Sequence, residues 1–171
     1  MEDQFAIEFK DQIIYRLDES TRMIKLSFEK LTDEDIWLRI NESSNTIGNL
    51  ILHLCGNIRQ YAISSLGTTE DTRVRDIEFE TKEGFSKQEL LNKICNTVEE
   101  AKEVLQQCSV SELLRKREVQ GFTFSGIGVA IHVTEHYSYH TGQIAFLTKQ
   151  LKNKRSLGFY DGMDLNIKNK D

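Results

Sequence analysis

The chain has 171 residues, 39% hydrophobic and 29% charged, which are the proportions of an ordinary folded protein. One domain spanning 1–171 is expected, large enough to bury a core without added staples. A net charge of −5 gives no global attraction to nucleic acid or an anionic membrane, and no apolar run approaches the roughly 20 residues of a membrane-spanning helix.

Apolar residues at Phe9, Ile13, Leu17, Ile24 and Phe28 recur near helical spacing and predict a first helix over roughly Asp3 to Lys30. LTDEDIWLRINESSN follows as a polar connection, with Trp37 and Ile40 expected to tuck against the bundle. A second helix is expected after Ser44 or Asn45, both suitable N-caps, carrying Ile47, Leu50, Ile51 and Leu54 to about Ser65. The charged stretch TTEDTRVRDIEFETKEG is long for a bundle link and predicts a crossover between parallel neighbours.

Ser86-Lys-Gln-Glu89 reads as a capping box, with Phe85 and Leu90 placed as a hydrophobic staple, and opens a third helix. Leu91, Ile94, Val98, Ala101 and Leu105 mark its buried side. QGFTFSG separates it from a fourth helix, from near Ser125 to about Lys152, where Gly126 and Gly128 permit close backbone approach. The tail from Leu157 is irregular, with Phe159, Tyr160 and Met163 available to pack. The basic runs at Arg115–Arg117 and Lys152–Arg155 read as solvated helix ends. With no proline and no convincing strand, the expectation is all-α: a four-helix bundle with one long crossover.

Cys55, Cys95 and Cys108 lack the C-x-x-C spacing of a thiolate metal site, and Cys95 falls in a helical apolar pattern. MEDQFAIEFKDQ lacks the apolar centre of a signal peptide, so a reducing cytoplasm is the expected setting.

Three of the four histidines lie in AIHVTEHYSYHTGQIAFL, at 132, 136 and 140, one helical turn apart. His136 and His140 fall between Val133 and Ile144 on the apolar stripe that also holds Val129, Leu147 and Leu151, so both are expected to point inward. One inward imidazole is commonly a core residue satisfied by a single hydrogen bond. Two adjacent ones are harder to satisfy in an apolar interior, and a metal resolves the conflict. His132 and His140 have Cα atoms roughly 12 Å apart on a helix, so all three cannot reach one ion. A third ligand must come from another helix, and His53 in NLILHLCGNIRQY, on one face with Leu50, Leu54 and Asn57, is the histidine that remains.

These residues resemble the DinB/YfiT-like family, regarded as metal-dependent enzymes. The resemblance runs from Trp37 to about Gln150. It rests on Asn45 to Leu50 leading into His53-Leu54, on Gly56 to Gln60, on Arg73 to Phe79, and on His136-Tyr-Ser-Tyr-His140-Thr-Gly-Gln143-Ile144. It implies a four-helix bundle with helices joined in an unusual order and a divalent metal, zinc or nickel, on His53, His136 and His140. His132, one turn from the pair, is then a supporting or packing residue. The resemblance also implies a homodimer, and similarity to transferases and isomerases that use low-molecular-weight thiols.

An enzyme acting on a small molecule, through S-transfer from a thiol, is the leading expectation. Three neutral imidazoles leave the ion its charge and an open position, as in catalytic zinc. A metal-dependent hydrolase is the first alternative, weakened because Glu135, next to His136, points about a quarter-turn away. A non-catalytic metal-binding or dimerisation module is the second. Asn57 either orients a ligand or packs helices. Arg59 and Arg75 read first as surface ion pairs and second as anchors for a substrate carboxylate.

Overall fold

The first long helix, α1 (Gln4–Glu29), begins where the Asp3 side chain accepts the Phe5 amide. The computed structural model describes residues 3–169. Met1, Glu2, Lys170 and Asp171, which the single-domain expectation includes, lie outside the described residues. Ile13, Leu17, Ile24 and Phe28 of α1 are buried as their spacing predicts, whereas Phe9 is half-buried.

The polar connection contains a short helix, α2 (Asp33–Trp37), capped by Thr32 and Asp35. Ile36 is its buried residue, and Ile40 is exposed, so the expectation that Ile40 packs is corrected. Trp37 covers Gly48 so closely that a Cβ there would lie 2.6–2.9 Å from the indole ring.

The second long helix starts at Ile47, later than Ser44 or Asn45. Thr46 is the N-cap, because its hydroxyl accepts the Asn49 amide while Asn49 reaches back to the Thr46 amide, closing a capping box. This helix is α3 (Ile47–Ile58), and it continues through a π-helical segment (Arg59–Ser64) into α4 (Ser65–Gly67). The charged link that follows holds α5 (Arg75–Glu80). The third long helix, α6 (Lys87–Gln107), opens at Ser86 and Glu89 with the expected reciprocal cap. Leu90 rather than Leu91 is its first fully buried position, and Phe85 stays partly exposed.

α7 (Val110–Leu114) leads into an antiparallel hairpin, β1 (Lys116–Val119) and β2 (Phe122–Ser125). The expectation of no strand is corrected. Gln120 and Gly121 form its turn, both at positive φ (52° and 81°), the backbone that two-residue hairpins require. Arg117 corrects another reading: it is buried, donating to the carbonyls of Ser65 and Arg115, not solvated. Lys152 pairs with Asp35, while Lys154 and Arg155 are exposed.

The fourth long helix, α8 (Gly126–Lys152), is capped by Ser125, as expected. A Cβ on Gly126 would sit 2.5 Å from the Glu112 carbonyl, so α7 approaches α8 there through the missing side chain. In the tail Leu157 is buried, but Tyr160 and Met163 are exposed, against the expectation that they pack.

Trp37 ties the start of α3 to the start of α6, because it covers Gly48 and its Nε1 donates to the Phe85 carbonyl at 2.9 Å. Gly67 meets Val104 at the other end, so α3 and α6 run parallel, and the 68–86 link is the predicted crossover. Lys10 near the start of α1 donates to carbonyls at the end of α6, so that pair is antiparallel. α8 packs between α1 and α3. Its buried stripe is Val129, Val133, Tyr137, Thr141, Ile144 and Ala145, with Leu147 and Leu151 only half-buried. The Thr21 hydroxyl donates to the Leu17 carbonyl, so the buried Tyr137 hydroxyl donates to Thr21 Oγ1, at 3.0 Å.

Candidate metal centre

Tyr137 and Thr141 carry the core stripe of α8, which turns His136 and His140 to its flank, toward α3. Both are half-buried, not pointed into the core as the spacing suggested. His53, buried on α3, meets them: one nitrogen from each of His53, His136 and His140 lies within 4.8 Å of the others. The closest approach is His53 Nε2 to His136 Nε2, 3.1 Å. Two nitrogens bound at about 2.0–2.1 Å to a tetrahedral ion stand about 3.3 Å apart.

The tautomers are set by the groups behind the rings. The Nδ1–H of His53 donates to Glu78 Oε2 at 2.8 Å, leaving its Nε2 lone pair facing the cluster. The Nδ1–H of His140 donates to Gln143 Oε1 at 2.6 Å, with the same result. Carboxylate and amide partners of this kind orient metal-ligating imidazoles. His136 Nδ1 is buried without a hydrogen-bond partner. His136 Nε2 faces the cluster 3.1 Å from the Nε2 of His53, and two nitrogen lone pairs that close repel unless a proton or a cation lies between them, so the residues present fit a bound metal.

Arg73 and Glu78, both from the charged link, were not singled out by spacing. Arg73 Nε donates to Glu78 Oε1 at 2.7 Å and its Nη2 to Oε2 at 2.9 Å, a two-pronged pair, while Nη1 donates to Gln60. Burial opposes the charge on Glu78, but the hydrogen bonds from Arg73 and His53 outweigh it and hold the carboxyl below its usual pKa. Gly56 makes room for the pair, since any Cβ there would overlap Glu78 Oε1 and lie 2.9 Å from Arg73 Nε. Asn49 anchors α5 from beneath, its amide donating to the carbonyls of Glu78 (3.0 Å) and Thr81 (2.7 Å). α5 inverts the usual pattern, exposing Ile77, and Val74 just before it, while burying Glu78, an inversion that shows only in the structure.

His132 stands outside the cluster. Its ring stacks on Tyr61 at 4.1 Å, and its Nε2 lies 3.4 Å from Asn57 Nδ2. Burial lowers the pKa of His132 and His140, and lowers that of His136 to about 3, so these imidazoles are neutral at pH 7. Asn57 is buried, and its Oδ1 has no partner. A cleft of about 460 Å³ opens over His53, His132 and His136, with Asn57, Tyr61, Gln120 and Arg75 among its walls. Arg59 lies elsewhere, paired with Glu100 at 2.7 Å. Glu135 faces a separate groove beside α1.

The family described as "Protein of unknown function (DUF1572)" matches residues 4–158. The chain belongs to this family. DUF1572 is itself part of the DinB-like family, so the resemblance seen in the sequence is confirmed. The DUF1572 chain is similar in fold to a conserved protein of Enterococcus faecalis, with 14% identity, a TM-score of 0.72, and coverage of 90% of this chain and 99% of that one. It is also similar to a DinB-like protein of Bacillus subtilis, YjoA (16% identity, TM-score 0.65, 84% and 94% covered). A DinB-like protein of Bacillus cereus gives 18% identity, a TM-score of 0.66, and 84% and 90% coverage. At these identities the likeness speaks to the fold. No curated protein matches the sequence significantly.

Proposed function

We propose that His53, His136 and His140 bind a divalent ion, zinc or nickel, and that this DUF1572 protein transfers a low-molecular-weight thiol to a small electrophile. The observation that carries the reading is the convergence of three imidazoles, with no fourth protein ligand among the described residues, beside an open cleft. Structural zinc sites close their coordination with four protein groups, whereas catalytic ones keep a position for substrate or water. When bound, such an ion supplies positive charge that lowers the pKa of a neighbouring thiol.

The chain's own residues do the positioning. Glu78 and Gln143 hold His53 and His140 with Nε2 facing the cluster, and Arg73 keeps Glu78 ionised. The chain's own thiols are not poised to react: burial pushes Cys55 up to about 12 and raises Cys95 and Cys108. The attacking sulfur therefore comes from a substrate. It forms a carbon–sulfur bond as the leaving group departs, and the thiol proton passes to solvent.

Hydrolysis would need a base to take a proton from water. Among the described residues lining the cleft there is no carboxylate, and Glu78 behind it is committed to His53 and Arg73. A homodimer is proposed on the family resemblance alone, and sedimentation of the purified protein tests it.

Metal analysis of untagged protein, followed by a thiol-consumption screen against electrophiles, tests the function. Zinc or nickel near one per chain, with thiol consumption lost in His136→Ala, is the expected result. Protein that binds neither metal, or equal consumption by the variant, would overturn it.

A further inference from the structure

We infer that the cleft beside the histidines selects a substrate bearing a carboxylate, and that Arg75 is the residue that binds it. The inference rests on the proposed metal-dependent reading for what lies at the other end of the substrate. Its own basis is the charge of the cleft. The chain carries 27 acidic residues and a net charge of −5, yet among the described residues no acidic side chain lines this cleft. Two guanidinium groups do, and they differ in their commitments. Arg73 is satisfied by Glu78 and Gln60. Arg75 is exposed, and no carboxylate is paired with it among the described residues.

Three surface arginines are committed to carboxylates, whereas Arg16, over the Tyr15 ring at 5.4 Å, lines a different groove from the histidine cleft. Arg22, Arg59 and Arg115 hold Glu19, Glu100 and Glu112 at 2.9, 2.7 and 2.8 Å. Arg75 is instead held by a ring: its guanidinium lies 4.8 Å above the centroid of Phe79, which is 4.9 Å from the ring of His53. Stacking orders the guanidinium while leaving its N–H fork free, and places the cation one ring away from the histidine cluster. A lone guanidinium fork matches the two oxygens of a carboxylate. Among the described residues no lysine lines the cleft to complete a phosphate site.

Asn57 supplies an independent second observation. It is 3% exposed, lines the same cleft, and its Oδ1 has no partner. A buried amide oxygen in that position is satisfied by an N–H or O–H of the ligand. The substrate is thus an anion with a hydrogen-bond donor on the same molecule.

Calorimetric titration of ω-mercaptocarboxylates of increasing chain length, and of the matching ω-mercaptoamides, into zinc-loaded protein tests the assignment. At least one acid should bind wild type about tenfold to a hundredfold tighter than its amide, the range for a hydrogen bond to a charged group. Arg75→Gln should erase that difference and leave the amide unchanged, Arg75→Lys should retain part of it, and Arg59→Gln should change neither. Equal affinities for acid and amide in wild type, no binding of any acid at millimolar concentration, or equal weakening of both by Arg75→Gln would each overturn it. A titration of simple alkanoates and alkanamides into metal-free protein, followed by NMR shifts, separates this proposal from the metal. A preference for the acid that Arg75→Gln removes supports the anion site even where zinc does not bind. Its absence in both forms of the protein rejects the site.

Discussion

At His136 one nitrogen faces His53 across 3.1 Å and the other is buried without a partner. Its replacement by alanine should therefore remove metal content altogether, while His132→Ala, outside the cluster and stacked on Tyr61, should leave it largely intact. Elemental analysis of the two purified variants checks both outcomes. Metal lost in His132→Ala but retained in a third variant, His140→Ala, would mean the wrong pair on α8. Glu78 gives a finer prediction. Glu78→Gln strands the buried Arg73 guanidinium and should cost about 3–5 kcal/mol of stability. It should also weaken metal binding about 10- to 100-fold, because His53 loses its carboxylate. Pairing it with Arg73→Met should recover much of the stability but not the affinity. Urea melts and metal titrations of the single and double variants separate the two effects.

Single elements differ in how openly the sequence declares them. The caps of α6 and α8 are legible because Ser86, Glu89 and Ser125 act on backbone amides within three residues, a purely local interaction. Thr46 was missed although it uses the same chemistry: its box closes with Asn49 rather than the usual Glu or Gln. The three clustered histidines were legible from helical spacing and the family resemblance. The support behind them was not, since Glu78 and Arg73 lie in a link whose composition reads as solvated and which is shaped by α3 and Asn49. The hairpin was hidden because β1 and β2 are four residues each and Gln120 is an uncommon residue at positive φ. Asn49→Ala tests the coupling of α5 to the site. It leaves the buried carbonyl of Glu78 without a donor, worth about 1–3 kcal/mol, and the part-buried one of Thr81, worth less, and should loosen metal binding as α5 detaches. Thr46→Ala should cost about 1 kcal/mol, with a smaller effect on metal. Equal metal affinities in wild type and Asn49→Ala would show that α5 does not depend on this anchor.

For the whole molecule, burial depresses the pKa of His132, His136 and His140 below the ordinary 6.5, to about 3 at His136. The unfolded chain takes up protons near pH 6.5 that the folded one refuses. The stability these groups contribute is thus full above that pH and is lost as pH falls toward the folded values. Metal-free protein should lose some thermal stability on acidification below about pH 6.5. Metal-loaded protein should lose more, below about pH 5–6, because protons also expel the ion and its binding free energy goes with it. Thermal melts of both forms across that range decide the matter, and parallel curves with metal confirmed would detach the ion from bundle stability.

His53 and His136 lie 83 residues apart in the chain. An ion shared between them would act as a removable cross-link, closing a loop that spans α5, α6 and the hairpin. A covalent link over a loop of that length lowers the entropy of the unfolded chain by the equivalent of about 4–5 kcal/mol. A histidine-held ion would impose such a restraint only while both ends stayed bound on the unfolded chain; released on unfolding, it would stabilise through its binding free energy instead. Because an ion released on unfolding leaves the open chain unconstrained, a chelator should move the urea midpoint downward while leaving the slope of the transition unchanged. A slope that steepens on chelation would instead mean that the ion stays on the unfolded chain and keeps it compact.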